Sequence, residues 1–213
     1  MLDVAFGTSP ARVRTATLTK DVVHPLKGGV GWLVVNPLSP PRLWSTVTHA
    51  VTQAFEAVVT ESYGPNNPML VQRAVGAGAQ AIARLQSVLV EPNLPLDAQL
   101  VGFVAHDHVV DVAISSGMRI FRARGPEPKR LLNNAQRSPG IVRGGLLVST
   151  ERLLQGDLFV FGSRDAFGMR SMGAVAALLS RRADAPPGEI LEGALSSCRS
   201  GGVGAGLVVA RVR

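Results

Sequence analysis

Apolar and polar positions divide the chain into strand-like runs at both ends with helical runs between them. Asp3 to Phe6 alternates weakly, and Val13 to Leu18 is a second candidate strand after the Thr8-Ser9-Pro10 turn. Gly31 to Val35 is a continuous apolar run, as expected of a strand buried on both faces; Pro37, Pro40 and Pro41 should stop it, since proline cannot donate to a ladder. Between Leu43 and Glu61, the residues Leu43, Val47, Ala50, Val51, Ala54, Phe55 and Val58 recur at helical spacing. Tyr63 to Pro68 reads as a loop, and a second helix is expected from Met69 to Val90, burying Val71, Val75, Gly78, Ile82, Leu85 and Leu89.

After Pro92 and Pro95 the period changes to two. Leu100 to Ala105, Val109 to Ile114 and Met118 to Ala123 read as three antiparallel strands, with turns at His106-Asp107 and Ser115-Ser116-Gly117. Leu131 to Arg143 is polar and irregular. Short strands follow at Leu146 to Ser149 and, opened by Gly156-Asp157, at Leu158 to Phe161. Helices are expected over Met172 to Arg182 and, entered through Pro186-Pro187, over Glu189 to Cys198, before a closing strand from Leu207 to Val212. This order predicts an α+β fold: an αββα sandwich of two mainly antiparallel sheets flanked by helix pairs, in one domain spanning 1–213.

Composition supports a folded chain. With 46% hydrophobic residues in 213, a large core can form and disorder is excluded as the dominant state. No apolar stretch approaches the roughly 18 residues of a membrane helix, and the N-terminus lacks a basic flank followed by an apolar run. Neither a membrane span nor a signal peptide is expected. The single cysteine, Cys198, excludes an internal disulfide and a multi-thiolate metal site, so a cytoplasmic setting is expected.

Charge changes the picture locally. The net charge is +7, yet residues 119–152 alone hold eight basic and two acidic side chains. That segment has one aromatic residue, Phe121, and reads as strand and loop. It lacks both the stacking platform of single-strand binders and a basic recognition helix, which disfavours nucleic acid and leaves two readings: a solvated, arginine-rich loop, or a surface for an acidic or phosphorylated protein.

Three local motifs reduce to ordinary structure. His106 and His108 would share a face on a strand and could hold a metal with Asp111, but they fall where a hairpin turn is expected. Gly201 to Gly206 has the glycine density of a dinucleotide loop, yet it precedes a strand instead of joining a strand to a helix. Cys198 lies on an apolar helical stripe and reads as a buried structural thiol.

Five segments carry a longer-range pattern. Ala11 to Thr19 stands in place of a G-x-V-R-x-x-N-x-D stretch, and Val35 to Arg42 in place of V-A-D-G-M-G-G-H before a long helix. Ser116 to Phe121 matches a G-D-S-R-A-Y turn, Gly156 to Ala166 a G-D-x-L-L-L-C-S-D-G-L strand, and Val203 to Val212 a D-N-V-T-V-V-V-V-R-V strand. In this order, over almost the whole chain, they resemble the metal-dependent protein serine/threonine phosphatases of the phosphatase 2C type.

The resemblance implies the αββα fold and a centre of two Mg²⁺ or Mn²⁺ ions, held by acidic side chains and a glycine carbonyl, whose bridging water attacks phosphorus. The positions matching those ligands are Thr19, Pro37, Leu38, Arg164 and Val203, none of them a carboxylate. Asp165 lies one place away from a lost aspartate, and on a strand that shift turns it to the other face unless the strand has ended. Arg14 falls where the family keeps an arginine that contacts substrate phosphate; with Arg164 and Arg119 it could bind a phosphate or a partner. The chain is also short between Leu131 and Gly145, where active relatives carry a flap.

The expectation is a catalytically inactive phosphatase-like domain, a pseudophosphatase, with no catalytic residue, metal or cofactor, acting through a phosphorylated or acidic protein partner. Alternatives are an active metal-dependent phosphatase with relocated ligands, an N-terminal-nucleophile amidohydrolase processed before Thr8 or Thr15, and a binder of nucleic acid or acidic partners through residues 119–152.

Overall fold

The computed structural model describes all residues except 14–15, 19, 64–66, 68, 90–93, 125–127, 133–139, 168–183 and 202–203; the side chains of 11–13, 16–18, 164, 197, 200 and 201 also lie outside it. Two five-stranded antiparallel sheets face each other. One runs in the order β1 (Leu2–Ser9), β12 (Ala205–Val212), β11 (Leu158–Ser163), β8 (Met118–Ala123), β9 (Pro128–Arg130). The other runs β10 (Leu146–Arg152), β7 (Val109–Ser115), β6 (Asp97–His106), β5 (Gly31–Leu38), β4 (Val22–Pro25). β2 (Ala11–Val13) and β3 (Ala16–Leu18) form a separate ribbon.

Helices α1 (Trp44–Ser62) and α2 (Leu70–Val88) cover the second sheet, and α3 (Pro187–Gly201) covers the first. On α1, Val47, Val51, Phe55 and Val59 repeat every four residues and are buried, so one stripe of the helix faces the sheet. Alternate residues of β5 serve different cores: Leu33 and Val35 pack under the helices, whereas Trp32 and Val34 pack between the sheets. A strand with apolar layers on both sides has no polar phase, which is why Gly31 to Val35 is apolar throughout. The α+β sandwich is therefore as expected, with one member of the second helix pair, Met172 to Arg182, lying outside the described residues.

Several boundaries differ from the sequence reading. β5 continues through Pro37 to Leu38, paired there with Ala98 and Asp97 of β6. β4 pairs with β5 only as far as Val35, so beyond that point β5 has a neighbour on one side, where a missing N–H is tolerated. Val13 to Leu18 is two short strands instead of one, and β4 and β9 were not expected.

The third strand of the expected meander leaves its sheet. β8 pairs with β11 and β9, not with β7, and Gly117, at a φ of 89°, lies in the turn that carries the chain from one sheet to the other. Alternation along β8 is the same in either arrangement, because both place one face on the inter-sheet core. Across that core Phe103 stacks on Phe161, with centroids 4.7 Å apart, and meets Phe159 edge-on.

The sheets are also joined by charge. Arg122 on β8 donates through Nη1 to Oε2 of Glu151 on β10 at 2.6 Å, and Glu151 accepts from Ser149. Both partners are mostly buried. Arg122→Met is expected to cost about 1.5 kcal/mol in chemical denaturation, since it leaves a partly desolvated carboxylate with one hydroxyl. No change in the midpoint would show that the pair contributes nothing to sheet docking. Among the described residues no helix is long and apolar enough to cross a membrane.

Candidate functional site

One end of the sandwich collects polar groups that the core does not explain. It is the end where β1, β5 and β11 finish and β4, β6 and β12 begin. Asp21 immediately precedes β4; since Val22 pairs with Val35, the next positions outward are Asp21 and Asn36, both buried. Gly206 of β12 packs so closely that a Cβ there would lie 3.1 Å from the Asp21 Cβ, and its N–H donates to Ser163 Oγ at 3.3 Å.

Asp21 is fully buried, and neither carboxylate oxygen has a well-formed hydrogen bond among the described residues. Ser9 Oγ, Asn36 Oδ1 and Ser39 Oγ are likewise buried without partners there. Burial pushes the Asp21 carboxyl up to about 6, and the nearby Asp165 carboxylate adds to the rise; Ser163, Lys20 and the Gly206 N–H pull it back in part. Strand β11 ends at Ser163 and gives way to a short 3₁₀ turn, Arg164–Phe167. The strand alternation that would have turned Asp165 away therefore no longer applies.

A second buried carboxylate at this end has a different environment. Asp97 Oδ1 accepts from the N–H groups of Ala98, Ile141 and Val142 at 2.8, 2.8 and 2.9 Å, and Oδ2 accepts from Arg143 N–H at 3.2 Å. The segment folds over the carboxylate because Gly140 adopts a φ of 100°; a Cβ there would meet the Asp97 carboxyl at 2.2 Å. Asp97 thus anchors residues 141–143 ahead of β10.

Of the positions matched to the family's ligands, Pro37 and Leu38 close β5 at this end, Pro37 buried and Leu38 half-buried. Arg164 opens the 3₁₀ turn, its side chain outside the described residues; Thr19, Val203 and the phosphate-site candidate Arg14 lie outside them altogether. Arg119 is half-buried on β8 opposite Gly162 and donates to the Met118 carbonyl at 2.9 Å. The sequence reading passed over Asp21 and Asp97. A carboxylate directly ahead of Val22-Val23 is the signal that could have found the first; nothing local distinguishes the second.

Donor chemistry decides whether a two-metal centre fits. Two divalent cations need several ionised carboxylates converging on them. Asp97 is already saturated by four N–H groups, which leaves Asp21 and Asp165. Among the described residues no group of three or more His, Cys, Asp or Glu side chains could hold a metal ion, and of the 15 acidic residues only Glu91 and Glu127 lie outside the described stretches. These residues do not fit a dinuclear centre.

The other candidates resolve into structure. Asp107-His108 is the turn between β6 and β7, and His106 Nε2 lies 2.8 Å from Asp111 Oδ2 across the hairpin. Cys198 is buried in the α3 core, with burial pushing its thiol up and its Sγ 3.6 Å from the Asp165 carbonyl. In the basic segment, Arg124 is bidentate to Asp157, both contacts 2.7 Å, Arg122 is paired, and Arg130 donates to the Leu132 carbonyl, whereas Lys129, Arg143 and Arg152 are exposed.

No family model matches the sequence, and no curated protein matches it. Solved structures are similar in fold. The serine/threonine phosphatase PstP/Ppp of Mycobacterium tuberculosis is 14% identical with a TM-score of 0.81, covering 100% of this chain and 99% of its own. A serine/threonine phosphatase of S. agalactiae is 10% identical with a TM-score of 0.80, covering 100% of both chains. The PPM Ser-Thr phosphatase MsPP of Mycobacterium smegmatis, in complex with cacodylate, is 12% identical with a TM-score of 0.76, covering 99% of this chain and 98% of its own. The chain therefore has the fold of the PPM-type phosphatases along its whole length.

Proposed function

We propose that this chain is a pseudophosphatase: a phosphatase-like domain without hydrolytic activity that works by binding a phosphorylated or acidic protein partner. The observation that carries the reading is the donor set at the Asp21 end of the sandwich. Two divalent cations need several converging carboxylates; at this end Pro37 and Leu38 offer none, Asp97 is taken up by four N–H groups, and among the described residues only Asp21 and Asp165 remain. A metal-bridging nucleophile has no donor set to hold it, so a bound phosphate would stay intact. Arg14, Arg119 and Arg164 are the residues proposed to receive such a phosphate, since guanidinium forks match its oxygens, and no cofactor is invoked. The exposed Lys129, Arg143 and Arg152 would add attraction for an acidic partner.

The test is incubation with a phosphothreonine peptide and Mn²⁺. The peptide is expected back intact, and its binding is expected to weaken about tenfold in the Arg14→Ala, Arg164→Ala double variant. Phosphate release that a chelator stops would overturn the reading. It would favour instead an active phosphatase with relocated ligands, for which the neighbouring Asp21 and Asp165 are the specific support.

A further inference from the structure

We propose that strand β10 is a docking edge, along which an extended acidic segment of the protein partner pairs as an added strand. β10 ends its sheet, and among the described residues no strand lies on its outer side. Leu153 N–H donates to the His108 carbonyl at 2.7 Å, which sets the phase of the antiparallel ladder. Leu147, Ser149 and Glu151 therefore turn their main-chain groups to β7, and Leu146, Val148 and Thr150 turn theirs outward. Val148 and Thr150 are exposed.

A row of unpaired N–H and C=O groups is a template for a further chain, and proteins blunt such edges with proline, short length or charge. β4 and β9, which also end sheets, have four and three residues and contain Pro25 and Pro128. β10 has seven residues and no proline, and its one carboxylate, Glu151, is held by Arg122 on β8. The other long edge, β1, has Asp3 as its one charged residue, and that is paired with Arg213. It offers no charge to choose a partner.

Charge selects the occupant of β10. Arg152 at its end and Arg143 just ahead of it are exposed. Lys129 of β9, also exposed, stands opposite Arg122 in the β8–β9 ladder; because Arg122 reaches across to β10, Lys129 lies on this same side of the sandwich. None of the three is in an ion pair among the described residues, and Glu151 is already taken. An acidic strand would meet these cations while its main chain bonds to Leu146, Val148 and Thr150, and an apolar side chain on it would cover Val148. This docking rests on the acidic partner already proposed, and not on the state of the phosphatase-like end.

The probe is a blocked peptide of alternating glutamate and valine, matched in length to β10. It carries no phosphate, so its binding and that of a phosphothreonine peptide can fail separately. Titrated into the full ¹⁵N-labelled chain, it is expected to shift the Val148 and Thr150 amide resonances saturably and to protect both from hydrogen exchange. Versions N-methylated at alternate amides, one in each phase, should differ: methyl groups facing β10 weaken binding about tenfold, and those facing away leave it unchanged. A lysine–valine peptide, and the Arg143→Ala, Arg152→Ala variant with the acidic peptide, should each bind about tenfold more weakly. No saturable shift, equal binding of the two methylated peptides, or equal binding of the lysine peptide would overturn the proposal. So would a dimer of the unliganded chain whose formation shifts the same amides, since a second copy would then occupy the edge.

Discussion

Asp97→Ala is expected to lower the stability of the domain by about 2 to 4 kcal/mol, a large share of the roughly 5 to 15 kcal/mol that separates a folded domain from its unfolded chain. The carboxylate is buried and accepts four main-chain N–H groups, three of them from Ile141 to Arg143. Removing it deprives the N–H groups of Ala98, Val142 and Arg143 of that acceptor, while Ile141 N–H keeps the Ala98 carbonyl at 2.9 Å, and each donor left unpaired away from water costs about 1 to 3 kcal/mol before relaxation. Asp97→Asn should recover only part of the loss, because its amide turns one acceptor into a donor facing other donors. Gly140→Ala should mimic the defect, since the glycine's φ of 100° and its contact with the carboxylate both exclude a Cβ. Urea denaturation of the three variants is the check; an Asp97→Ala chain as stable as the wild type would show that the 140–143 segment is held by something else.

Asp21→Asn carries the opposite sign. The folded carboxyl titrates near 6 and the unfolded one near 3.8, so the native state binds its proton more tightly. The stability this gives is complete below the unfolded value and is lost as pH rises from about 4 to 6, amounting to roughly 3 kcal/mol at 1.36 kcal/mol per pH unit. An asparagine has no charge to desolvate. It should therefore stabilise the protein by about 2 kcal/mol at pH 7.5, leave it unchanged near pH 4, and flatten the pH dependence between them. Thermal melts of wild type and variant across that range would show it. A destabilised variant at pH 7.5 would mean that the ionised Asp21 carboxylate is tied to a partner in the folded chain.

Much of the scaffold was legible because amphipathic periods are local. The stripes of α1 and α2 and the apolar run of β5 each follow from which layers touch them. Partner choice is not local: β8 has the same alternation whether it pairs with β7 or crosses to β11, and only the assembled sandwich decides. Pro37 misled for a related reason, since proline's cost depends on whether a neighbouring strand reaches that far.

The candidate site was legible only in part. Reading Thr19, Pro37, Leu38, Arg164 and Val203 against the family's ligands indicated missing carboxylates, but it overlooked Asp21, whose meaning comes from complete burial that no residue near it announces. Whether Asp165 turns away depended on where β11 ends, a boundary that periodicity places only to within a residue or two. The basic segment changed most. Arg122, Arg124 and Arg130 serve ion pairs and a carbonyl within the domain, so less of its charge faces outward than the sequence suggested.

The most direct measurement of the account's central claim is calorimetric titration of Mn²⁺ into the protein at pH 7.5, with Asp21→Asn alongside. A phosphatase fold without its hydrolytic centre predicts no saturable two-ion binding in either chain. Binding of two ions by the wild type, lost in Asp21→Asn, would contradict it.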